Sequence, residues 1–275
     1  MYVSFNYTFI PEEEFRLPYT DRAFQYGDRL FETMILRKGR ISFLKDHISR
    51  LKNGMKHLGY QNYKKISTEA VENIVKKLAE KNFLGDWARV KLIVWRKEGG
   101  KYTPNDNGFN ILIATEPHIV PSKNEWRKVS FAETVRLFHS PISRYKCHSL
   151  PYVLAGVEKN ERRLEELILL DHHENVAECI ASNIFWIKQG VFYTPKINSG
   201  CIAGILRKNL LDFLEKKGIP FQKVMAKKTE LLMAENIFTC NVTGIYHILS
   251  IDNQNFEKAT WVDDLFADLI KDWEN

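Results

Sequence analysis

Apolar positions near the start of the chain recur at steps of three and four residues, the spacing of one face of an α-helix. The pattern predicts a helix that ends at Gly59 and a second that begins at Ser67 or Thr68, either of which suits a helix cap. The first carries Leu44, Ile48, Leu51, Met55 and Leu58, and the second carries Val71, Ile74, Val75 and Leu78. Apolar runs at 90–95 and 109–115 then predict strands on either side of a loop rich in turn residues.

The second half of the chain mixes strand and helix patterns in the same way. Strands are predicted at 128–135 and 167–170, with a hairpin at 183–187 and 191–194 that turns at Gln189–Gly190. Helices are predicted at 150–166, from Leu206 to Gly218, and through Trp261, Leu265, Leu269 and Trp273. Residues 116–122 contain two prolines and no helical periodicity, so they are the best linker candidate. The patterns together predict an α/β (α+β) protein of two domains.

Composition narrows the class of protein. The chain has 275 residues, of which 44% are hydrophobic and 27% charged, as in soluble globular proteins. No run has the roughly 18 uninterrupted apolar residues of a membrane span, and the N-terminus does not resemble a signal peptide. The four cysteines are widely spaced, which favours reduced thiols in a cytosol. We therefore expect a cytoplasmic protein with no membrane partner.

Charge and metal-ligand spacing exclude two further classes. The formal net charge is +6, but the basic residues are scattered, so no nucleic-acid surface is predicted. A mildly basic chain is equally consistent with an anionic small-molecule substrate or cofactor. There is no CxxC pair, and His172–His173 lacks metal-ligand spacing, so no metal site is predicted.

Glu178 is the most unusual charged residue. It lies in the run 176–186 among small, apolar and neutral polar residues, and neither lysine nor arginine occurs between Arg163 and Lys188. An ionised carboxylate is seldom fully buried without a partner. Either a cation reaches Glu178 from elsewhere or the side chain lies at an exposed end.

Four other features carry candidate chemistry, and each also has a purely structural interpretation. In the run 198–207, small residues lead directly into a helix start, where unsatisfied N–H groups suit a phosphate, although many helices begin after glycine. The polar run 239–244 offers hydroxyl and amide groups, or is simply a strand end. Arg50 lies beside the apolar stripe of its helix and either reaches a ligand or is solvated. Lys146, close to Arg144, is either a carbonyl-attacking amine or an ordinary surface lysine.

Taken in order, these segments resemble the class IV aminotransferase family, the fold-type IV enzymes that use pyridoxal 5′-phosphate. The motifs are the run 21–33, the helix segment 47–51 and the segments described above, so the resemblance extends from about Asp21 to Ile248. It implies a small α/β domain at 1–116, a linker at 117–122 and a larger domain at 123–275 with a β-barrel-like sheet and helices. It also implies a homodimer whose site lies between the domains.

The resemblance implies a role for each matching residue. By this resemblance, Lys146 would bond to the cofactor's aldehyde carbon and then move the substrate proton. Glu178 would keep the pyridine nitrogen protonated. The phosphate is to be held by Arg50, Gly204, Ile205, Leu206, Thr239, Cys240 and Asn241. The substrate side is to be lined by Tyr26, Thr33, Lys91 and Tyr102.

Within the family, the runs 178–186 and 193–195 are most similar to aminodeoxychorismate lyase, which makes 4-aminobenzoate and pyruvate on the route to folate. Three features depart from the lyase pattern: Glu32, Ser149 and the loop 97–102. Aminotransferases commonly have Glu at the position of Glu32. The alternatives are therefore an aminotransferase acting on branched-chain or D-amino acids, and a non-catalytic homologue.

Overall fold

A computed structural model describes residues 1–119, 122–147 and 149–274. The chain forms two compact units. Among the described residues, the first unit contains 1–119 together with Tyr145–Cys147, and the second contains 122–144 and 149–274. Part of the expected linker, 120–121, lies outside the described residues. Lys146, which the sequence assigned to the range of the second domain, groups with the first unit.

The first unit is a six-stranded sheet with two long helices. Its elements are β1 Tyr2–Phe5, β2 Thr8–Pro11, α1 Arg22–Tyr26, β3 Arg29–Arg37, β4 Arg40–Ile41, α2 Leu44–His57, α3 Thr68–Lys81, β5 Ala88–Arg96 and β6 Phe109–Pro117. The strand order is β2-β1-β6-β5-β3-β4, and every pairing is antiparallel. The Ser67 hydroxyl accepts the Ala70 N–H at 3.0 Å, so Ser67 is the cap of α3.

The two faces of this sheet differ in chemistry because strand side chains alternate. One face carries buried apolar residues such as Leu30, Leu92 and Ile113. The helix α2 packs on this face, since Gly54 lies against the Leu30 side chain. The other face carries Phe31, Thr33 and Lys91. The pairing of β3 with β5 is regular from Arg29 to Leu36, so the alternation holds along the whole strand.

The second unit contains two sheets and three main helices. Its elements are β7 Glu125–Trp126, β8 Val129–Leu137, α4 Leu150–Glu161, β9 Glu166–Asp171, β10 Val176–Cys179, β11 Asn183–Lys188, β12 Val191–Pro195, α5 Ile205–Lys216, β13 Phe221–Val224, α6 Lys228–Leu232, β14 Asn236–Asn241, β15 Gly244–Ile248, β16 Ser250–Ile251, β17 Gln254–Asn255 and α7 Thr260–Glu274. The sheet orders are β10-β9-β8-β16-β17 and β13-β12-β11-β14-β15-β7. The chain passes from one sheet to the other between β7 and β8, β10 and β11, and β15 and β16.

These crossings let both sheets surround one core, as in a barrel. Val129 and Ile168 from the first sheet pack in the same cluster as Ile184, Ile237 and Ile248 from the second. The arrangement confirms the predicted α/β class with a barrel-like larger unit. No helix in the described ranges combines the length and apolar character that crossing a bilayer demands.

One local prediction differs from the structure. The helix predicted at 150–166 ends at Glu161, because Arg163 adopts a left-handed backbone (φ 54°) and β9 begins at Glu166. The polar run beginning at Thr239 is a strand end, one of the two interpretations that its sequence left open, because β14 extends to Asn241.

Candidate active site

A buried ion-pair network in the first unit centres on Glu32. Its Oε1 accepts Arg50 Nε–H at 2.8 Å, and its Oε2 accepts Arg50 Nη2–H at 2.5 Å. His47 Nδ1 lies 2.7 Å from Oε2. All three side chains are buried, and His47 and Arg50 lie on α2, opposite Glu32 on β3. Arg50 is therefore a buried, bidentate partner of a carboxylate and not the solvated residue that its helix position favoured.

The protonation states in this network follow from burial and charge. Burial alone raises the pKa of Glu32, but Arg50 and the hydrogen bond from His47 outweigh it and lower the pKa to about 2. Burial lowers the pKa of His47, and Arg50 and Lys146 lower it further against the opposing effect of Glu32. At neutral pH the network therefore contains one carboxylate, one guanidinium and a neutral imidazole. Since an ionised carboxylate can only accept, Nδ1 of His47 carries the proton.

Lys146 lies beside the same strand. Its carbonyl accepts the Phe31 N–H at 3.0 Å, and its Nζ lies 5.5 Å from the centre of the Phe31 ring. The Lys91 Nζ lies 3.7 Å from that ring. Two lysine amines thus share one aromatic neighbour within the first unit.

Lys91 faces Thr33 directly across β3 and β5. It is half-buried, and burial together with Arg89 and Arg29 lowers its pKa to about 8, despite Glu116 and Glu32. Alternation places Arg29, Phe31 and Thr33 on the same face as Lys91. This face of the sheet consequently carries positive charge from Arg29 and Lys91, with the apolar ring of Phe31 between them.

The remaining predicted substrate residues, Tyr26 and Tyr102, form an exposed aromatic pair with ring centres 5.6 Å apart. Buried Arg22 anchors the loop that bears Tyr102. Its Nη1 donates to the carbonyls of Gly99, Gly100 and Lys101 at 3.1, 3.4 and 2.7 Å. The described contacts join the four predicted residues as two pairs, Thr33 with Lys91 and Tyr26 with Tyr102.

Glu178, in the second unit, is only 3% exposed, so the alternative of an exposed end is excluded. Its Oε1 accepts the Tyr152 hydroxyl at 2.7 Å and the Ile202 N–H at 3.0 Å. Its Oε2 accepts Asn183 Nδ2–H at 3.2 Å. These donors are neutral, so they stabilise the carboxylate without cancelling its charge. The sequence did not identify Tyr152 or Asn183 as partners of Glu178. They lie 26 and 5 residues from it, and neither spacing is typical of a binding motif.

The start of α5 is built closely against Asn183. That side chain also donates to the Ile202 carbonyl at 2.9 Å. A Cβ at position 204 would lie 1.9 Å from Asn183 Oδ1, so any side chain there would displace the Asn183 amide from its hydrogen bonds. Gly204 provides no side-chain cap, which leaves the first N–H groups of α5, including those of Ile205 and Leu206, to a ligand or solvent.

Buried Arg207, one residue further on, was also missed. Its Nη2 donates to the Pro195 carbonyl at 2.8 Å, while its Nε has no hydrogen-bond partner among the described residues. It adds positive charge next to the first turn of α5.

The structure does not bring all three side chains of the predicted strand-end cluster together. Thr239 and Asn241 project to one side of β14 and Cys240 to the other. The Asn241 amide donates to the Ala181 carbonyl and Ser182 Oγ at 3.2 and 3.0 Å. Its Oδ1 accepts the Thr243 N–H at 2.8 Å. Burial raises the pKa of Cys240 to about 12, against the opposing effect of Arg207, so the thiol is neutral. Only main-chain groups of all three residues could serve one ligand.

The sequence profile of the class IV amino-transferases matches residues 29–251, and the chain belongs to that family. The chain is 25% identical over 234 residues to aminodeoxychorismate lyase of Vibrio harveyi, covering 82% of this chain and 83% of that protein. It is 28% identical over 266 residues to D-alanine aminotransferase of Listeria monocytogenes, covering 90% and 88%.

Among solved structures, branched-chain aminotransferase from Thermoproteus uzoniensis superposes with a TM-score of 0.89 at 21% identity, covering 99% of this chain and 94% of that one. The likeness confirms the fold. Family membership makes the protein an enzyme and makes pyridoxal 5′-phosphate its cofactor. The described residues contain no group of His, Cys, Asp and Glu able to hold a metal ion.

The donor set suits this cofactor. A phosphate needs cationic or N–H donors, and each unit contains one such group by itself: Arg50 in the first and the start of α5 in the second. A protonated ring nitrogen needs a buried acceptor such as Glu178, and its aldehyde needs an amine such as Lys146.

Proposed function

We propose that this enzyme is an aminodeoxychorismate lyase, which cleaves 4-amino-4-deoxychorismate to 4-aminobenzoate and pyruvate. The observation that carries the proposal is the placement of two lysine amines, Lys91 and Lys146, 3.7 and 5.5 Å from the centre of one aromatic ring. One amine is suited to bind a substrate carboxylate and the other to move a proton.

Pyridoxal 5′-phosphate supplies an electron sink when it is bound. Arg50 and the N–H groups of Ile205 and Leu206 would hold its phosphate, and Glu178 would keep its ring nitrogen protonated. The Lys146 amine would take the proton from the carbon that bears the substrate's amino group. Loss of pyruvate then makes the ring aromatic, so the enzyme has mainly to orient the substrate and manage protons.

The charge of the sheet face favours a substrate with more than one carboxylate. Arg29 and Lys91 both lie on the face that carries Phe31 and Thr33. Aminodeoxychorismate has two carboxylates, whereas a branched-chain amino acid has one carboxylate and an apolar side chain. A cationic face raises the local concentration of a dianion.

The presence of Glu32, which departs from the lyase pattern, is compatible with a lyase. Its side chain lies on the face covered by α2, and both of its oxygens bind Arg50, with His47 on one of them. The residue type at this position therefore reflects how Arg50 is held and need not reflect which substrate is used.

An aminotransferase is the second candidate. The observation that favours it is that the Listeria D-alanine aminotransferase is matched over 90% of this chain, compared with 82% for the Vibrio lyase. A dicarboxylic amino donor such as glutamate would use the same cations, Arg29 and Lys91.

One assay distinguishes the two activities. Purified enzyme is given aminodeoxychorismate alone, and pyruvate and 4-aminobenzoate are measured. A parallel sample receives amino acids with 2-oxoglutarate, and amino transfer is measured. Equal release of both products supports the lyase, whereas keto-acid-dependent transfer without aminobenzoate supports the aminotransferase. A colourless protein that binds no cofactor and shows neither activity would support the non-catalytic alternative.

We also propose that the enzyme is a homodimer. Leu150, Val153, Leu154 and Val157 on α4 form a helical stripe and are 75, 55, 56 and 49% exposed. A contiguous apolar stripe of this kind is typical of a protein interface. Sedimentation should give a dimer for the native chain and a monomer for Leu154→Glu.

Cytoplasmic residence, where folate synthesis would place the enzyme, is part of the same proposal. Cys179, Cys201 and Cys240 are buried thiols that form no disulfide. Buried reduced thiols suit a reducing compartment.

A further inference from the structure

Tyr145, the residue before Lys146, packs against α2. Tyr145 is only 7% exposed, and its ring centre lies 5.4 Å from that of His57. The Tyr145 hydroxyl oxygen is 2.9 Å from His57 Nδ1, which is also 3.0 Å from the Asn53 carbonyl oxygen. When His57 is neutral with its proton on Nε2, the tyrosine hydroxyl donates to Nδ1. The last turn of α2 thus holds the segment that bears the lysine.

The lack of a side chain at Gly54 leaves room for the Tyr145 ring. Gly54 lies in the interior of α2, where glycine weakens a helix relative to alanine. A Cβ at position 54 would lie 3.1 Å from both Leu30 methyl carbons and 3.2 Å from Cγ of Tyr145. The missing side chain is therefore the space into which the tyrosine ring fits.

The backbone of Lys146 is fixed as well. The Cys147 N–H donates to the Tyr145 carbonyl at 3.0 Å, which makes Lys146 the centre of a three-residue turn. The Lys146 carbonyl in turn accepts the Phe31 N–H. A lysine side chain has four flexible carbons, so the position of its backbone limits where its amine can reach.

We propose that Tyr145, seated on Gly54 and His57, is a positioning residue that sets where the Lys146 amine meets the cofactor's aldehyde. The inference rests on the proposed role of Lys146. The same helix bears Arg50, and Gly54 lies about one turn beyond it. One helix would then fix the distance between the phosphate-binding guanidinium and the amine, and an error of about 1 Å in such a distance costs roughly 100-fold in rate.

Two cofactor forms separate positioning of the amine from general binding. Pyridoxal 5′-phosphate has an aldehyde that bonds to the lysine. Pyridoxamine 5′-phosphate presents the same phosphate and ring with an amine in that place, so it binds without a bond to Lys146. The affinity ratio of the two forms therefore reports the lysine's position, and it does not require turnover.

The variants are Tyr145→Phe, which removes only the hydroxyl, and Gly54→Ala, which inserts a methyl group under the ring. Gly156→Ala is the matched control, because that glycine lies within α4 and a Cβ there meets nothing within 4 Å. Loss of one hydrogen bond predicts that Tyr145→Phe weakens pyridoxal phosphate about 2- to 10-fold. Gly54→Ala should weaken it at least as much. Pyridoxamine phosphate should bind all variants equally, and Gly156→Ala should match the native protein.

A second measurement tests the hydrogen bond itself. If His57 is the partner, His57→Leu should reproduce the effect of Tyr145→Phe, and the double variant should be no weaker than either single one. An unchanged affinity ratio in both Tyr145→Phe and Gly54→Ala would overturn the inference, as would equal weakening of both cofactor forms, which marks a merely structural role. If the native protein binds neither form, or borohydride fixes the cofactor at another lysine, the proposed function fails first and the inference with it.

Discussion

Glu32 in the first unit and Glu178 in the second are both buried carboxylates, and the partners described for them differ in charge. Glu32 is 1% exposed and is bound by a guanidinium and an imidazole. Glu178 is 3% exposed and accepts from a hydroxyl, a main-chain N–H and a side-chain amide. A cation partner cancels charge locally, whereas neutral dipoles leave the negative charge able to act on a bound group.

The two arginines differ in the corresponding way. Arg50 is held by a carboxylate at Nε and Nη2, which orients the whole guanidinium. Arg207 donates from Nη2 to a carbonyl, and its Nε has no partner in the described part of the chain. The guanidinium of Arg50 is thus oriented by a carboxylate, whereas that of Arg207 is held by a main-chain carbonyl.

The largest expected effect follows from removing the amine of the first unit. Lys146→Ala should lower kcat by roughly 10⁴-fold, the upper range for a general acid–base group. Some cofactor should still bind without a covalent bond, because Arg50 and α5 are intact. Turnover and borohydride fixation are measured beside Lys56→Ala, an exposed residue of α2. Retained activity in Lys146→Ala would assign the chemistry to another group.

The second prediction concerns Glu178 and the three neutral donors described for it. Glu178→Gln keeps an oxygen for Tyr152 and Ile202 but turns an N–H group toward the Asn183 amide donor, so the free energy of unfolding should fall by about 1–3 kcal/mol. Turnover should fall ~10²- to 10³-fold, the scale of losing one electrostatic contact to the reacting group. Steady-state kinetics and urea unfolding give both values. Unchanged turnover would mean that Glu178 does not face the pyridine nitrogen.

Glu32→Gln should lower the free energy of unfolding more than Glu178→Gln does, and it should affect turnover less. It leaves a buried guanidinium with a lost ionic partner, which costs about 3–5 kcal/mol in stability. Cofactor affinity should fall roughly 10- to 100-fold, as when an orienting partner of a ligand-binding group is removed. The loss should be larger for pyridoxal phosphate than for pyridoxal, since the phosphate is what Arg50 would bind.

The control is Glu72→Gln in the exposed ion pair with Lys76, which should change neither property. If Glu32→Gln is no less stable than Glu178→Gln, the contrast between cationic and neutral partners is wrong.

Local sequence patterns predicted the elements whose burial has one clear period. The stripe of α2 and the Gln189–Gly190 turn are confirmed, and both turn residues have positive φ (51° and 72°). Strand β3 was not predicted. Five consecutive residues, Glu32–Leu36, are buried, so exposure does not alternate along the strand even though side-chain direction does. A strand buried on both faces lacks the period that distinguishes it from other buried segments.

The candidate site divides in the same way. The need of Glu178 for partners was visible in its apolar surroundings, but Tyr152 and Ile202 are 26 and 24 residues away and only the fold brings them near. Likewise, a glycine inside the predicted helix 44–58 was a detectable signal, since it weakens the helix without evident cause. Its reason, the ring of Tyr145, lies 91 residues further along the chain.

The smallest expected effect concerns the pH range over which the cationic face binds its substrate. The pKa of Lys91 is about 8, so the amine is protonated and binds a carboxylate below that pH and becomes neutral above it. For a dicarboxylic substrate, kcat/KM should be level below pH 8 and then fall by about tenfold per pH unit. Lys91→Arg keeps its charge at high pH, so its kcat/KM should stay level above pH 8, apart from any fall caused by other groups. Identical profiles for the native enzyme and Lys91→Arg would show that Lys91 does not bind the substrate, and the first unit's cations would then reduce to Arg50 and Lys146.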